Sequence, residues 1–257
     1  MSNEELIRVL VSGAAGKMGQ EVIKMLYTSN DMELVAAVDK KPINNLQDGV
    51  YVGNSLIDAI IKTKPRVMVD FTHPDSVLDN TLTAIRERVF VVVGTTGLMP
   101  EDLDKIHTAA EETSTGVLIA PNFALGAVLM MELSKQLARY FSEVEIIEMH
   151  NQLKADSPSG TALRTAEGIC NNLQKAPIIY DCSPARGQII NNIPIHSIRL
   201  PGLIAHQEVI FGAQGQTLSI RHDSYDRTSF MPGVALAIKT VLKQKGLIYG
   251  LENILDL

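Results

Sequence analysis

The sequence predicts an α/β protein in which a doubly wound parallel sheet domain is followed by a smaller α+β domain. Three observations carry this. Through residue 122, short β-branched runs alternate with longer amphipathic stretches, the pattern of parallel strands joined by crossover helices. Four of the five runs are almost continuously apolar, as strands covered on both faces are. After Asn122 the rhythm changes to a long apolar helix and then to strands separated only by turns.

Taken in order, the strands of the first part are Ile7 to Val11, Leu34 to Val38, Val67 to Phe71, Val89 to Val93 and Val117 to Ala120, with helical patterns between them. An apolar helix from Leu125 to Tyr140 leads into a strand from Val144 to Met149 and then a polar loop containing Pro and Gly. Strands at Ile195 to Leu200, Glu208 to Phe211 and Leu218 to His222 predict a largely antiparallel second sheet. A last helix is expected from Phe230 to Lys243, and no internal repeat is present.

The chain has 257 residues, 46% apolar and 20% charged, an ordinary globular composition. Its net charge of -6 argues against nucleic acid, whose backbone demands clustered Lys and Arg. Cys170 and Cys182 have no metal-ligand spacing, and two thiols make no disulfide framework. The six histidines lack a paired spacing, so no metal site is expected. The start of the chain is acidic where a secretory signal is basic. No apolar run reaches the roughly 18 residues of a membrane span. The expected setting is the cytoplasm, or an organelle if a transit peptide is removed, with no membrane partner.

Gly13, Gly16 and Gly19 follow the first strand and open a helix, the context of a Rossmann-like dinucleotide fingerprint. Gly13 makes the tight turn, Gly16 admits the pyrophosphate and Gly19 allows close helix packing, while Ala14, Ala15, Lys17 and Met18 complete the loop. Asp39 ends the second strand 20 residues after Gly19, the usual offset for an acid on the adenine ribose. Lys40 and Lys41 suit a 2'-phosphate whereas Asp39 repels one, so NADPH and NADH both stay open. Gly94, Thr95 and Thr96, and Ala120, Pro121, Asn122 and Phe123, lie at strand ends that face the same crevice in such a sheet. His73 reads as a loop-capping residue rather than a catalytic one.

The densest polar cluster runs from Glu148 to Ala162. Ser159, Gly160 and Thr161 begin a helix there, and their backbone N–H groups suit a carboxylate. His150 adds a titratable acid and Lys154 a cation, a set matched to a small dianionic acid receiving hydride and proton. The same residues also fit a plain helix cap and a hydrogen-bonded strand end. Arg199, with His206, Gln207 and Glu208 beyond it, reads as structural.

Val11 to Gly19, Val69 to Thr72, Gly94 to Gly97, Asn122-Phe123 and Lys154 to Ala162 together resemble the dihydrodipicolinate reductases of the diaminopimelate route to lysine, over almost the whole chain. The resemblance implies NAD(P)H-dependent reduction of dihydrodipicolinate, with His150 as proton donor, Lys154 as catalytic lysine, and Gly160 and Thr161 as the carboxylate-binding turn. It puts the cofactor-selecting pair on Asp39 and Lys40, and a hinge and cofactor contact on Arg227. It also implies a homotetramer, a nucleotide domain of residues 1–122 and 228–257, and a substrate domain of 123–227. The family typically has two consecutive histidines where this chain has His150 and Asn151, so one substrate contact is changed. A related reductase of another small imino or amino acid and a non-catalytic NAD(P) sensor are the competing readings.

Overall fold

The computed structural model describes residues 5–44, 46–174 and 183–256, so Cys182 lies outside the described residues. Contacts divide the chain into two compact units. One runs to Phe123 and resumes over Phe230–Asp256, and the other is Ala124–Ser229.

The first unit opens with β1 (Ile7–Ser12), α1 (Lys17–Tyr27), β2 (Met32–Val38), β3 (Tyr51–Gly53) and α2 (Leu56–Thr63). It continues with β4 (Val67–Asp70), α3 (Pro74–Arg86), β5 (Phe90–Val93), α4 (Pro100–Thr113) and β6 (Gly116–Ile119). The second unit holds α5 (Leu125–Leu137), β7 (Glu143–His150), α6 (Gly160–Cys170), β8 (Gln188–Ile190), β9 (Ile193–Arg199), β10 (Ala205–Ala213) and β11 (Gln216–Ser224). The chain then returns to the first unit with α7 (Met231–Val241) and β12 (Gly246–Tyr249).

Seven parallel strands in the order β12-β6-β5-β4-β1-β2-β3 form the first sheet, the doubly wound arrangement that the alternating pattern predicts. Val9, Leu10, Val11, Val67, Met68, Val69 and Val91 to Val93 are all fully buried, which is why their strands read as unbroken apolar runs. The edge strands β3 and β12 are not among the five sequence-predicted strands. They are three and four residues long, too short to establish a period of their own. The order reverses between β1 and β4, whose last residues Ser12 and Asp70 pair side by side, and such a switch point opens a crevice at the carboxyl ends of the strands.

The second sheet has the order β11-β10-β7-β9-β8. Three of its pairings are antiparallel, but β7 and β9 run parallel, because α6 makes a crossover between them where only turns join the later strands. Val144, Ile146 and Glu148 alternate on its buried face, beside Ile193 and Ile195 of β9 and Val209 and Phe211 of β10. Among the described residues no helix is long and apolar enough to cross a membrane.

Phe211 is fully buried, with its ring 5.8 Å from that of Phe141. Phe211→Ala should destabilise the second unit by about 3–5 kcal/mol through lost transfer energy and a residual cavity, measured as a lowered urea midpoint.

Candidate active site

In the first unit the chain leaves β1 through Gly13, whose φ is +81° and where a Cβ would fall 2.3 Å from the Phe71 carbonyl oxygen. At Gly19 a Cβ would lie 2.2 Å from the Gly13 carbonyl oxygen, so α1 packs against the turn only with glycine there. Gly13 and Ala14 donate their N–H groups to the Val38 carbonyl (2.9 and 3.2 Å), and Gly16 donates to Gly13 (3.0 Å). Helix α1 begins at exposed Lys17 and half-buried Met18, with Gly16 as its N-cap. No side chain caps it and no acid occupies its first turn, which leaves the positive end of the helix suited to an anion.

Asp39 closes the loop from the other side. Its Oδ2 accepts from the Ala15 N–H (2.9 Å) and its Oδ1 from the Lys41 N–H (2.8 Å). Exposed Lys40 and Lys41 follow it. Gly13, Ala15, Gly16, Asp39, Lys40 and Lys41, with Phe71, Thr72 and His73, line a crevice of about 430 Å³. Its size and donors fit part of a dinucleotide. Ala14, Lys17, Met18, Gly94, Thr95, Thr96, Ala120, Pro121, Asn122 and Phe123 are not in its lining.

The strand ends beside this crevice are organised by Asp70, which is fully buried. Its Oδ1 accepts from the Thr72 N–H (3.0 Å), the Thr72 hydroxyl (2.7 Å) and the Thr95 hydroxyl (2.8 Å), and its Oδ2 accepts from Asn80 (2.9 Å). The Thr95 side chain is therefore committed inward, and exposed Thr96 follows it. Gly94 donates its N–H to the Asp70 carbonyl (2.9 Å). Ala120 N–H bonds the Val93 carbonyl (3.0 Å), and Phe123 packs edge-on against Phe71, 5.9 Å between ring centres. Pro121 and Asn122 are half-buried between them. His73 is the N-cap of α3 and accepts from the Asp75 N–H (3.4 Å), the capping role expected of it.

In the second unit the polar cluster gathers around Glu148, fully buried at the end of β7. Its Oε2 meets His150 Nδ1 at 2.5 Å and Arg199 Nη1 at 2.9 Å. Its Oε1 accepts from Arg199 Nη2 (2.7 Å) and from the Ser159 N–H (3.3 Å). Burial alone would push this carboxyl up, but the hydrogen bonds from His150, Arg199 and Ser197 and the Arg199 charge outweigh it and hold the group at about 2. Arg199 Nη2 also donates to the Asp156 carbonyl (2.9 Å). Lys154 Nζ pairs with both Asp156 oxygens (2.7 and 2.8 Å), and this cation holds the Asp156 carboxyl below its usual range.

Asn151 Oδ1 accepts from the Leu153 N–H (3.1 Å), which turns the loop and leaves the side-chain NH₂ as donor. Ser159 is the N-cap of α6, accepting from the Ala162 N–H (3.2 Å), and no acid occupies the first turn that holds Gly160 and Thr161. A Cβ at Gly160 would meet nothing within 4 Å, so packing within the chain does not require glycine there. Exposed Arg227 lies in the short 3-10 turn Arg227–Phe230, where the second unit ends.

Sequence reasoning gave no role to Glu148 and read Arg199 as structural. The signal was available in the strand period. Val144, Ile146 and Glu148 fall on one face, and an acid at the third inward position must find a buried partner. His206, Gln207 and Glu208 lie on β10, bonded to Asp223 (2.6 Å), Thr165 (2.8 Å) and Arg221 (3.7 Å) respectively.

Family models described as dihydrodipicolinate reductase, N-terminus and C-terminus, match residues 7–123 and 126–255. The chain is 48% identical to the 4-hydroxy-tetrahydrodipicolinate reductase of Listeria monocytogenes, over 97% of this chain and all of the relative. It is 47% identical to the enzyme of that name from Synechocystis sp., over 99% and 100%. Among solved structures, a dipicolinate-bound dihydrodipicolinate reductase from Paenisporosarcina sp. TG-14 superposes with a TM-score of 0.91 at 44% identity, covering 98% of this chain and 100% of the other.

Because the Glu148 carboxyl titrates at about 2 when folded against an ordinary 4.5, its charge stabilises the second unit above 4.5 and that stabilisation is lost as the pH falls toward 2. Thermal melts across this window should show Tm falling more steeply with acid in the wild type than in Glu148→Gln.

Proposed function

The chain belongs to the dihydrodipicolinate reductase family and is an oxidoreductase, and from that premise we propose that it reduces dihydrodipicolinate (4-hydroxy-tetrahydrodipicolinate) to tetrahydrodipicolinate with NADPH or NADH, in lysine and diaminopimelate biosynthesis. The observation that carries the reading is the pair of anion-ready helix starts, α1 behind the Gly13 turn and α6 beside His150 and Lys154, neither with an acid in its first turn.

The residues from Gly13 to Met18 would hold the pyrophosphate, and Asp39 and Lys40 the adenosine end. Gly94 to Thr96, Ala120 to Phe123 and Arg227 are assigned to the remainder of the dinucleotide. When bound, this group supplies the hydride that the cyclic imine dicarboxylate accepts at C4. The N–H groups of Gly160 and Thr161 take one substrate carboxylate, with Ser159, whose own N–H is held by Glu148, capping their helix; Asn151 donates from its NH₂, and Lys154 exchanges Asp156 for substrate charge. The ionised Glu148 only accepts hydrogen bonds, so His150 donates Nδ1–H to it and Nε2 is the nitrogen that delivers the proton.

We assign the face of the second sheet opposite the described helices α5 and α6 to a homotetramer in the cytoplasm. Ile147, Met149, Ile198 and Ile210 alternate with the buried set, on the side opposite α5 and α6. Light scattering should return four times the chain mass.

His150→Gln should lower kcat by about 10²- to 10⁴-fold, the usual contribution of a general acid, in steady-state assays with enzymatically generated substrate. Lys154→Ala should lower kcat/KM strongly while leaving Tm near that of the wild type; a loss confined to stability would remove its catalytic role. Both nucleotides should be oxidised, and Lys40→Ala should weaken NADPH relative to NADH by roughly tenfold or more, the worth of one charge-assisted hydrogen bond. Turnover of another small imino acid in place of dihydrodipicolinate would identify Asn151 as the mark of a changed substrate.

A further inference from the structure

We propose that Glu148 is a positioning residue of the reductase site. Its single buried carboxylate holds the His150 ring with Nδ1–H turned inward, so that the proton the imidazolium form delivers is the one on Nε2, and it also anchors the start of the helix that receives the substrate carboxylate. The proposal rests on the function assigned above.

The geometry gives each oxygen at least two donors. Oε2 takes His150 Nδ1 and Arg199 Nη1, while Oε1 takes Arg199 Nη2 and the Ser159 N–H. A carboxylate offers about four lone-pair positions, and with these four bonds and the further hydrogen bond from Ser197 both oxygens are fully engaged. The carboxylate cannot donate, so Nδ1–H must, and when the ring is in its imidazolium form the proton on Nε2 is the one available for transfer. The Ser159 N–H immediately precedes Gly160 and Thr161, so the same carboxylate fixes the register of that turn.

Arg199 extends the arrangement. Its fork neutralises Glu148, and its bond to the Asp156 carbonyl ties down the loop that carries Lys154. The neutral amide introduced by Glu148→Gln would fill the same space, but it can donate or accept and would leave the imidazole tautomer undetermined. A role confined to packing does not need the charge, since a buried ion pair is commonly no more stable than apolar residues of the same volume. Orienting a histidine does need it, as a carboxylate behind an imidazole sets both its tautomer and its direction.

A double-mutant cycle tests this. Glu148→Gln should lower kcat on the order of 10²-fold and raise KM for the dicarboxylate, with KM for the nucleotide unchanged. Introduced into His150→Gln, it should lower kcat no further while still raising KM for the dicarboxylate. Independently of turnover, ¹⁵N NMR of histidine-labelled protein should show His150 protonated at Nδ1 in the wild type and redistributed toward Nε2 in Glu148→Gln.

If Glu148→Gln is insoluble, Glu148→Asp is read in the same cycle, because it keeps a charge for Arg199 while withdrawing the oxygen from His150. Multiplicative kcat losses in the cycle, or a His150 ring signature indifferent to residue 148, would overturn the proposal. Absence of turnover in the wild type would instead overturn the assigned function, and the ring signature would still decide the role of Glu148.

Discussion

A carboxylate removed from water has to be met by donors, and Glu148 is the group around which the second unit arranges its polar residues. Losing one partner of such a buried pair costs roughly 3–5 kcal/mol. That cost explains why residues far apart in sequence converge on it: His150 from its own strand, Arg199 from the parallel neighbour, and Ser159 from the crossover helix. The first unit uses the same device. Asp70 sits fully buried at the end of β4 and draws in Thr72, Thr95 and Asn80, so that three successive segments stop in fixed positions.

In both units the buried acid lies at or within two residues of a strand's carboxyl end, and the residues assigned to ligands follow it. This follows from what a sheet provides. The strand interior is rigid and apolar, whereas its carboxyl end releases the chain into loops that can carry polar groups. Anchoring those loops to a charge inside the protein limits their freedom without using the outward-facing atoms that a ligand needs. Helix starts complete the arrangement, since neither α1 nor α6 carries an acid of its own in the first turn.

Much of this was legible in the residues. Unbroken β-branched runs such as Val91 to Val93 fit strands buried on both faces, and the glycine at position 13 states its own reason once the Phe71 backbone is seen against it. The segment from His150 to Thr161 stands out as a candidate site from residue type and from the family it resembles. Less legible were β3, β8 and β12, each three or four residues long, whose strand character comes from the neighbour they pair with. The parallel pairing of β7 and β9 was likewise hidden, because turn signals around β9 look the same whichever way its partner runs.

The sequence by itself determined the doubly wound sheet, the glycine turn after β1 and the chemical kinds gathered after β7, because these depend on local spacing: apolar period, glycine interval, and the residues that can cap a helix. Only the tertiary structure decided which of the polar residues act together. Glu148 and Arg199 are 51 positions apart, Asp70 and Thr95 are 25 apart, and no local rule relates either pair. Sheet register does, by setting β9 beside β7 and β5 beside β4, and the low dielectric of the interior then makes each pairing obligatory.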